Sequence, residues 1–212
     1  MMKKYPLLTI AKNPSAIILA NGDFPVHPLP IALLTNTEYV VCCDGATDEF
    51  VSKGRIPVAI VGDGDSLSKL NKKQFAHILH SIPDQETNDL TKAFNYCLQQ
   101  NKMDLLILGA TGKREDHTLG NISLLADYMD QADVEMVTDY GVFTPISEDS
   151  EFESYLGQQV SIFNLSDADM SQEGLQYTLP PLKQWWQGTL NASLSDRFII
   201  HTSGKAIIFR AY

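Results

Sequence analysis

The chain has 212 residues, enough for one large or two small domains with an ordinary buried core. With 44% hydrophobic and 20% charged residues, it is neither disordered, collagen-like nor low in complexity. Sixteen Lys and Arg against 26 Asp and Glu give a net charge of -10. That field repels phosphate backbones and argues against a nucleic-acid partner, but it admits a nucleotide wherever carboxylates hold a divalent metal. Three cysteines, with Cys42 and Cys43 adjacent, predict neither a disulfide framework nor a zinc site. The N-terminal stretch is interrupted by Pro6, Thr9 and Lys12 before a secretory core forms. No later run approaches the roughly 18 apolar residues that span a bilayer, so the expectation is a cytoplasmic protein with no membrane partner.

From Ser15 to about Thr138, apolar runs alternate with amphipathic stretches. The runs AIILA (16–20), YVVCC (39–43), VAIVG (58–62), LLILG (105–109) and VEMVT (134–138) are near-continuous in Val, Ile and Leu, the pattern of parallel strands buried on both faces. Helices are predicted where Ser68 precedes KLNKKQFAHILH, where Asn88 precedes DLTKAFNYCLQQ, and over DHTLGNISLLADYM. In the second, Leu90, Phe94, Cys97 and Leu98 share one face. Strand alternating with helix predicts a three-layer α/β domain with a mostly parallel sheet over 1–140. After Tyr140 the helical period fades into short segments punctuated by Gly, Pro and Ser, from VFTPIS through GLQYTL and TLNASLS to KAIIFRAY. This spacing predicts a small all-β sandwich over 141–212, with a hairpin turn around Ser203 and Gly204.

Four of the five predicted strands run directly into polar clusters, at the carboxyl ends where open α/β sheets place ligands. These are Asn21-Gly22-Asp23, Asp44-Gly45, Asp63-Gly64-Asp65-Ser66 and Thr111 to His117; a further acidic loop, Asp84 to Asp89, opens a helix. Two carboxylates flanking a glycine, as in Asp63-Gly64-Asp65, suit a hard cation such as Mg²⁺, although Asp and Gly are equally ordinary turn formers. Asp89 and Lys92 share a helix face at i, i+3, as a metal ligand beside a phosphate-binding cation or as a surface ion pair. Lys113 and Arg114 ahead of a helix N-terminus form an anion site by charge and orphan N–H groups. The surrounding GATGKREDH departs from the P-loop pattern, because Ile107 stands where its first glycine belongs and Arg114 follows Lys113.

In order and spacing, these motifs resemble the thiamin pyrophosphokinases. The resemblance runs through Asn21-Gly22-Asp23, Cys43-Asp44-Gly45-Ala46, Gly62 to Ser66, Pro83 to Glu86 with Asp89 and Lys92, and Gly109 to His117 with Asn121. It resumes more faintly at Gly174 to Tyr177 and Gly188 to Asn191. Asn88, Glu86 and Leu190 stand where the family usually carries Thr, Asp and Ser. The resemblance implies an N-terminal α/β catalytic domain, a C-terminal β-sandwich, a homodimer with sites shared between chains, and Mg²⁺-dependent transfer of pyrophosphate from ATP to thiamin with release of AMP. It further implies Asp63, Asp65 and Asp89 as metal ligands, with Lys92 and Arg114 as charge stabilisers and Gln85 orienting the acceptor. Asn21, Asp23, Asp44, Gly45, Arg114, Asp116 and His117 are expected on ATP, and Gln85, Thr189 and Asn191 on thiamin.

Two other classes fit parts of the pattern. A D-x-D triplet at a strand end also suits a metal-dependent nucleotide-sugar glycosyltransferase, and an acidic α/β domain could serve as a non-catalytic nucleotide or vitamin sensor. Asp63, Asp65 and Asp89 together argue against the sensor, which has no need of a complete metal cage. In the β segment Tyr177, Trp185, Trp186 and Asn191 are the candidate acceptor contacts. The two tryptophans are expected to pack on their own domain, while the Asn191 amide is expected to read the aminopyrimidine edge.

Overall fold

A computed structural model describes residues 2–84 and 86–212. They divide into two compact units, one of residues 10–139 and one of residues 1–9 with 140–212. The first strand, β1 (Lys3–Tyr5), belongs to the second unit. Residues 1–9, expected with the α/β domain, thus group with the C-terminal segment, for a simple reason. β1 adds in parallel to a strand of the C-terminal segment, Lys3 opposite Ser150 and Tyr5 opposite Phe152.

In the larger unit the chain runs through β2 (Ala16–Leu19), α1 (Pro28–Asn36), β3 (Val40–Cys43), α2 (Ala46–Ser52), β4 (Ala59–Gly62), α3 (Lys69–Gln74) and β5 (Leu79–Ser81). It continues through α4 (Asp89–Gln99), β6 (Asp104–Leu108), α5 (Glu115–Ser123), α6 (Leu125–Tyr128) and β7 (Asp133–Val137). The six strands form one parallel array in the order β7-β6-β2-β3-β4-β5. The chain winds outward from β2 to β5, then returns to the far side of β2 as β6. Strand order therefore reverses between β2 and β6, the switch point at which such sheets open a ligand crevice. Ile17, Ile18, Val41, Ile60, Leu106 and Ile107 are fully buried, each contributing roughly 1.5–3 kcal/mol of transfer free energy. Burial on this scale holds the strand ends in place and leaves the loops beyond them free to carry charge.

All five predicted strands form. Helix α4 presents Leu90, Ala93, Phe94 and Cys97 to the interior, and the Asn88 carboxamide caps it by accepting from the Thr91 N–H at 2.9 Å. The helix expected after Ser68 is much shorter than its sequence pattern. It ends at Gln74, where Phe75 turns into an apolar cluster with Ile60 and Leu67, and Leu79–Ser81 becomes the edge strand beside β4. The long helix expected over 116–129 is broken at Leu124 into α5 and α6.

The second unit is two facing sheets. β8 (Gly141–Ile146), β9 (Ser150–Glu153), β10 (Gln159–Asn164), β11 (Met170–Glu173), β12 (Gly188–Ala192), β13 (Arg197–Thr202) and β14 (Ala206–Ala211) follow in sequence. One sheet runs β12-β10-β14-β8, wholly antiparallel. The other runs β1-β9-β13-β11. Ile146, Val160, Ile162 and Ile208 from the first meet Phe152, Phe198 and Ile200 from the second in a single core, and the Tyr5, Phe152 and Phe198 rings stack with successive centroids 4.9 Å apart. Residues 203–205 do not close a hairpin, because β13 and β14 lie in different sheets. The Ser-Gly turn instead carries the chain across the sandwich. GLQYTL, expected as a strand, contributes a single bridge from Leu175 to Ser193.

Candidate active site

The carboxyl ends of β2 and β6 are bound to each other through their loops. The Gly22 N–H donates to the Gly109 carbonyl at 2.6 Å and the Asp23 N–H to the Thr111 carbonyl at 2.8 Å. A Cβ on Gly22 would lie 2.5 Å from that same Gly109 oxygen, so the close approach requires glycine. Lys113, in the left-handed region at φ +53°, reaches back to the Asn21 carbonyl at 3.1 Å and its side-chain oxygen at 3.2 Å. Asn121 on α5 donates to the Ala110 carbonyl at 2.8 Å, and Asn88 donates to Asn121 at 3.4 Å. These bonds tie together the ends of β2 and β6 and the starts of α4 and α5 around a cleft of about 420 Å³. Its lining includes Asn21, Asp63, Asp89, Lys92, Arg114 and His117.

At the floor of the cleft, β3 and β4 deliver their terminal carboxylates side by side. In the parallel register Cys43 lies opposite Val61, and the Asp44 N–H donates to the Val61 carbonyl at 3.0 Å. An oxygen from each of Asp44, Asp63 and Asp89 lies within 4.8 Å of the others. Gly62 makes the convergence possible, since a Cβ there would come 2.8 Å from the Asp44 Cβ and 3.2 Å from the Asp89 carboxylate. Asp89 pairs with the Lys92 ammonium at 3.2 Å, and Lys92 is itself only 4% exposed. Burial raises the Asp44 carboxyl above the usual carboxylate range; the Ser66 N–H opposes this, and the charges of Asp89 and Asp63 push it further up. Burial likewise holds the Cys43 thiol well above its ordinary value, so it stays protonated and offers no thiolate. The donor set is all carboxylate oxygen, which suits a hard cation such as Mg²⁺.

The structure groups the expected residues differently from the sequence. Asp63, Asp89 and Lys92 come together, but Asp65 is exposed and outside the carboxylate cluster, its N–H donating to Asp63 Oδ1 at 3.0 Å in a tight turn. Asp44, expected on ATP, takes the third place in the cluster. Parallel pairing of β3 with β4 was the signal that could have found it. Arg114 and Asp116 form an exposed ion pair at 2.5 Å, Gly45 packs against the Asn21 side chain and Asp23 abuts Gly112. Gln85 lies outside the described residues.

In the β unit Asn191 is 3% exposed. Its Oδ1 accepts from the Tyr177 N–H at 3.0 Å and its Nδ2 donates to the Tyr177 carbonyl at 2.7 Å. The amide expected to read a ligand here holds residue 177 to β12. Thr189 donates to the Trp186 carbonyl at 2.9 Å. Leu190 lies in a bulge of β12 at φ +63° and is 79% exposed.

A parallel sheet with carboxylates and cationic side chains gathered in a cleft at its strand ends, in one chain with a β-sandwich, defines a two-unit protein with an N-terminal α/β unit and a C-terminal β unit. Residues 31–138 match the catalytic domain of thiamin pyrophosphokinase and residues 141–209 its substrate-binding domain. The chain belongs to the thiamin pyrophosphokinase family. It is 31% identical over 116 residues to thiamin pyrophosphokinase 1 of Caenorhabditis elegans, covering 50% of this chain and 47% of that protein. It is 34% identical over 88 residues to thiamine pyrophosphokinase of Bacillus subtilis, covering 39% and 40%. The matched regions thus span half or less of these relatives. Thiamin pyrophosphokinase from Candida albicans shares the fold with a TM-score of 0.80 at 17% identity, over 99% of this chain and 93% of that one. These matches lend no support to the glycosyltransferase and sensor readings.

Proposed function

We propose that this protein transfers the pyrophosphoryl group of ATP to the hydroxyethyl oxygen of thiamin, giving thiamin diphosphate and AMP, and that it acts as a cytoplasmic homodimer. The observation that carries the reading is the convergence of Asp63 and Asp89 beside buried Lys92, facing Lys113 and Arg114 across one cleft. Phosphoryl-type transfer needs charge neutralisation and an in-line acceptor more than covalent chemistry, and this arrangement supplies opposite charges on a rigid frame. Asp63 and Asp89 would hold Mg²⁺; when bound, the cation supplies charge neutralisation to the phosphate oxygens. Lys92 has its ammonium held at Asp89 and buried, so its charge acts at short range in a medium that screens it weakly. Lys113 and Arg114 present two further cations at the N-terminal end of α5, the end that carries its positive dipole. Asn21 and Asn121 keep the rim in register through the bonds described above. The acceptor oxygen forms its bond to the β-phosphorus as the bond to the bridging α,β oxygen breaks, AMP leaves, and the hydroxyl proton passes to water.

Three features support the cellular and quaternary parts of the proposal. The three cysteines are free and buried, as a reducing compartment allows. No helix among the described residues is long and apolar enough to cross a membrane. The β unit carries half-buried Phe143, Phe163 and Phe209 in a row on one sheet, with exposed Trp185 against Phe163 at 5.6 Å. An outward aromatic row of this kind suits a partner surface, and the proposed occupant is a second copy of this chain. Incubation with ATP, thiamin and Mg²⁺, followed by chromatography, is expected to give AMP and thiamin diphosphate in equal amounts and nothing in EDTA. ADP as the nucleotide product would overturn the reading.

A further inference from the structure

One loop at the cleft holds a lysine in a backbone conformation that its side chain disfavours. Between β6 and α5 three residues take positive φ: Gly109 at +64°, Gly112 at +78° and Lys113 at +53°. The glycines do so at no steric cost, and a Cβ on Gly112 would collide with the Asp23 carboxylate. Lys113 carries a Cβ and a long side chain, so the left-handed region strains it. Such strain persists only where the surroundings over-determine it, and it clusters at functional sites.

What the strain achieves is visible in the direction of the side chain. The Ala20, Gly22 and Asp23 N–H groups already donate to the Leu108, Gly109 and Thr111 carbonyls at 2.8, 2.6 and 2.8 Å. Lys113 adds a tie to the residue between them, donating to the Asn21 carbonyl at 3.1 Å and to Asn21 Oδ1 at 3.2 Å. An ammonium can only donate, so it fixes which end of the Asn21 carboxamide it meets. Oδ1 turns toward Lys113, and Nδ2 is left against Gly45 at the start of α2, where a Cβ would come 2.5 Å from it. One side chain thereby links the loops that follow β6, β2 and β3, and both Asn21 and Lys113 line the cleft.

We propose that Lys113 is a positioning residue for the nucleotide: its ammonium locks the Asn21 carboxamide, and with it the wall formed by the three loops, in the orientation that receives the triphosphate. It acts through Asn21 more than through its own charge. The proposal rests on the reading of ATP as a substrate. A wall locked before binding has less freedom to lose when the ligand arrives, which is how a strained residue far from the reacting bond raises affinity.

The test uses the full chain, Mg²⁺ and an ATP analogue with a methylene group in place of the α,β-bridging oxygen, which binds without transferring. Lys113→Gly accepts the left-handed backbone and removes the ammonium, and it is expected to melt at or above the wild type. By isothermal titration it should bind the analogue at least about fivefold more weakly. In an Asn21→Ala background the same change should alter affinity less than about twofold, because the group that Lys113 orients is gone. In turnover the KM for ATP should rise by more than kcat falls, with the KM for thiamin little moved, a split that general loss of structure would not produce. Unchanged analogue affinity in Lys113→Gly overturns the proposal, as does a Lys113→Gly protein that no longer folds. Equal losses in the wild-type and Asn21→Ala backgrounds overturn it too, because Lys113 would then act on the phosphates directly. A wild type that does not bind the analogue overturns both the lock and the nucleotide reading. One that binds it through Lys113 yet forms no AMP refutes the reaction and leaves the lock intact.

Discussion

The densest groupings of buried polar side chains differ in kind between the two units. In the β unit several of them bond each other and the backbone, although Gln158 Oε1 is buried without a partner. The Ser154 and Ser193 hydroxyls bond at 2.7 Å, Asn191 is engaged at both ends with Tyr177, and Arg210 donates to the carbonyls of Tyr5, Pro6 and Glu153 over the ring of Phe152. At the strand ends of the α/β unit, three carboxylates converge with one buried lysine and an orphaned oxygen. A polar group with every bond made holds a fold together. Convergent like charges with bonds left unmade cost stability and mark the place where a ligand completes the structure.

Substitutions at the two places should therefore fail differently. The largest effect is expected for Asp63→Asn, which should lower AMP release at least about 100-fold while leaving the melting temperature unchanged or raised, because it relieves repulsion with Asp44 and Asp89. A folded variant with near-normal turnover in Mg²⁺ would break the comparison from the catalytic side. Arg210→Ala should do the reverse, costing about 2–4 kcal/mol in denaturant unfolding by stranding three carbonyls and emptying the space over Phe152. Asn191→Ala is expected to cost about 1–3 kcal/mol through the two Tyr177 bonds, with the KM values for thiamin and ATP shifting little at temperatures where it stays folded. A selective rise in the thiamin KM would return Asn191 to the acceptor site.

The smallest effect concerns His201, which lies between Asp149 at 2.8 Å and Glu173 at 3.3 Å. The bond to Asp149 is the main cause raising its pKa, with Glu173 adding to it. Because the folded value lies above the unfolded one near 6.5, the stabilisation is complete below about pH 6.5 and fades as pH rises through the folded value. Asp149 shows the complementary shift, lowered chiefly by His201 and then by the Thr202 N–H. Its share is present above about pH 4 and lost on acidification through its folded value. Melting curves of His201→Gln across pH 5.5–8.5 should lose the decline that the wild type shows above about pH 6.5; an identical pH profile would remove this ion pair from the account.

The strands were legible because continuous Val, Ile and Leu runs have one physical solution, burial on both faces of a parallel sheet. Helices α1 and α2 were not, since Pro28 and Pro30 in the first turn of one and the Asp-Gly lead into the other read as loop chemistry. The Ser203-Gly204 turn was visible as a reversal, but turn residues do not say which sheet the next strand joins. Strand-end position and i, i+3 spacing made Asp63, Asp89 and Lys92 candidates, each with an ordinary turn, dipole or ion-pair explanation, and only the family resemblance implied their roles. Asp44 needed the register of β3 against β4, and the engagement of Asn191 depends on Tyr177, which reaches it across a turn that no local pattern specifies.

The most direct test of the account follows the label in ATP. With thiamin, Mg²⁺ and ATP carrying ³²P in either the β or the γ position, both labels should appear in thiamin diphosphate, with unlabelled AMP as the partner product. Retention of the β label in ADP, with only the γ label on thiamin, would contradict it.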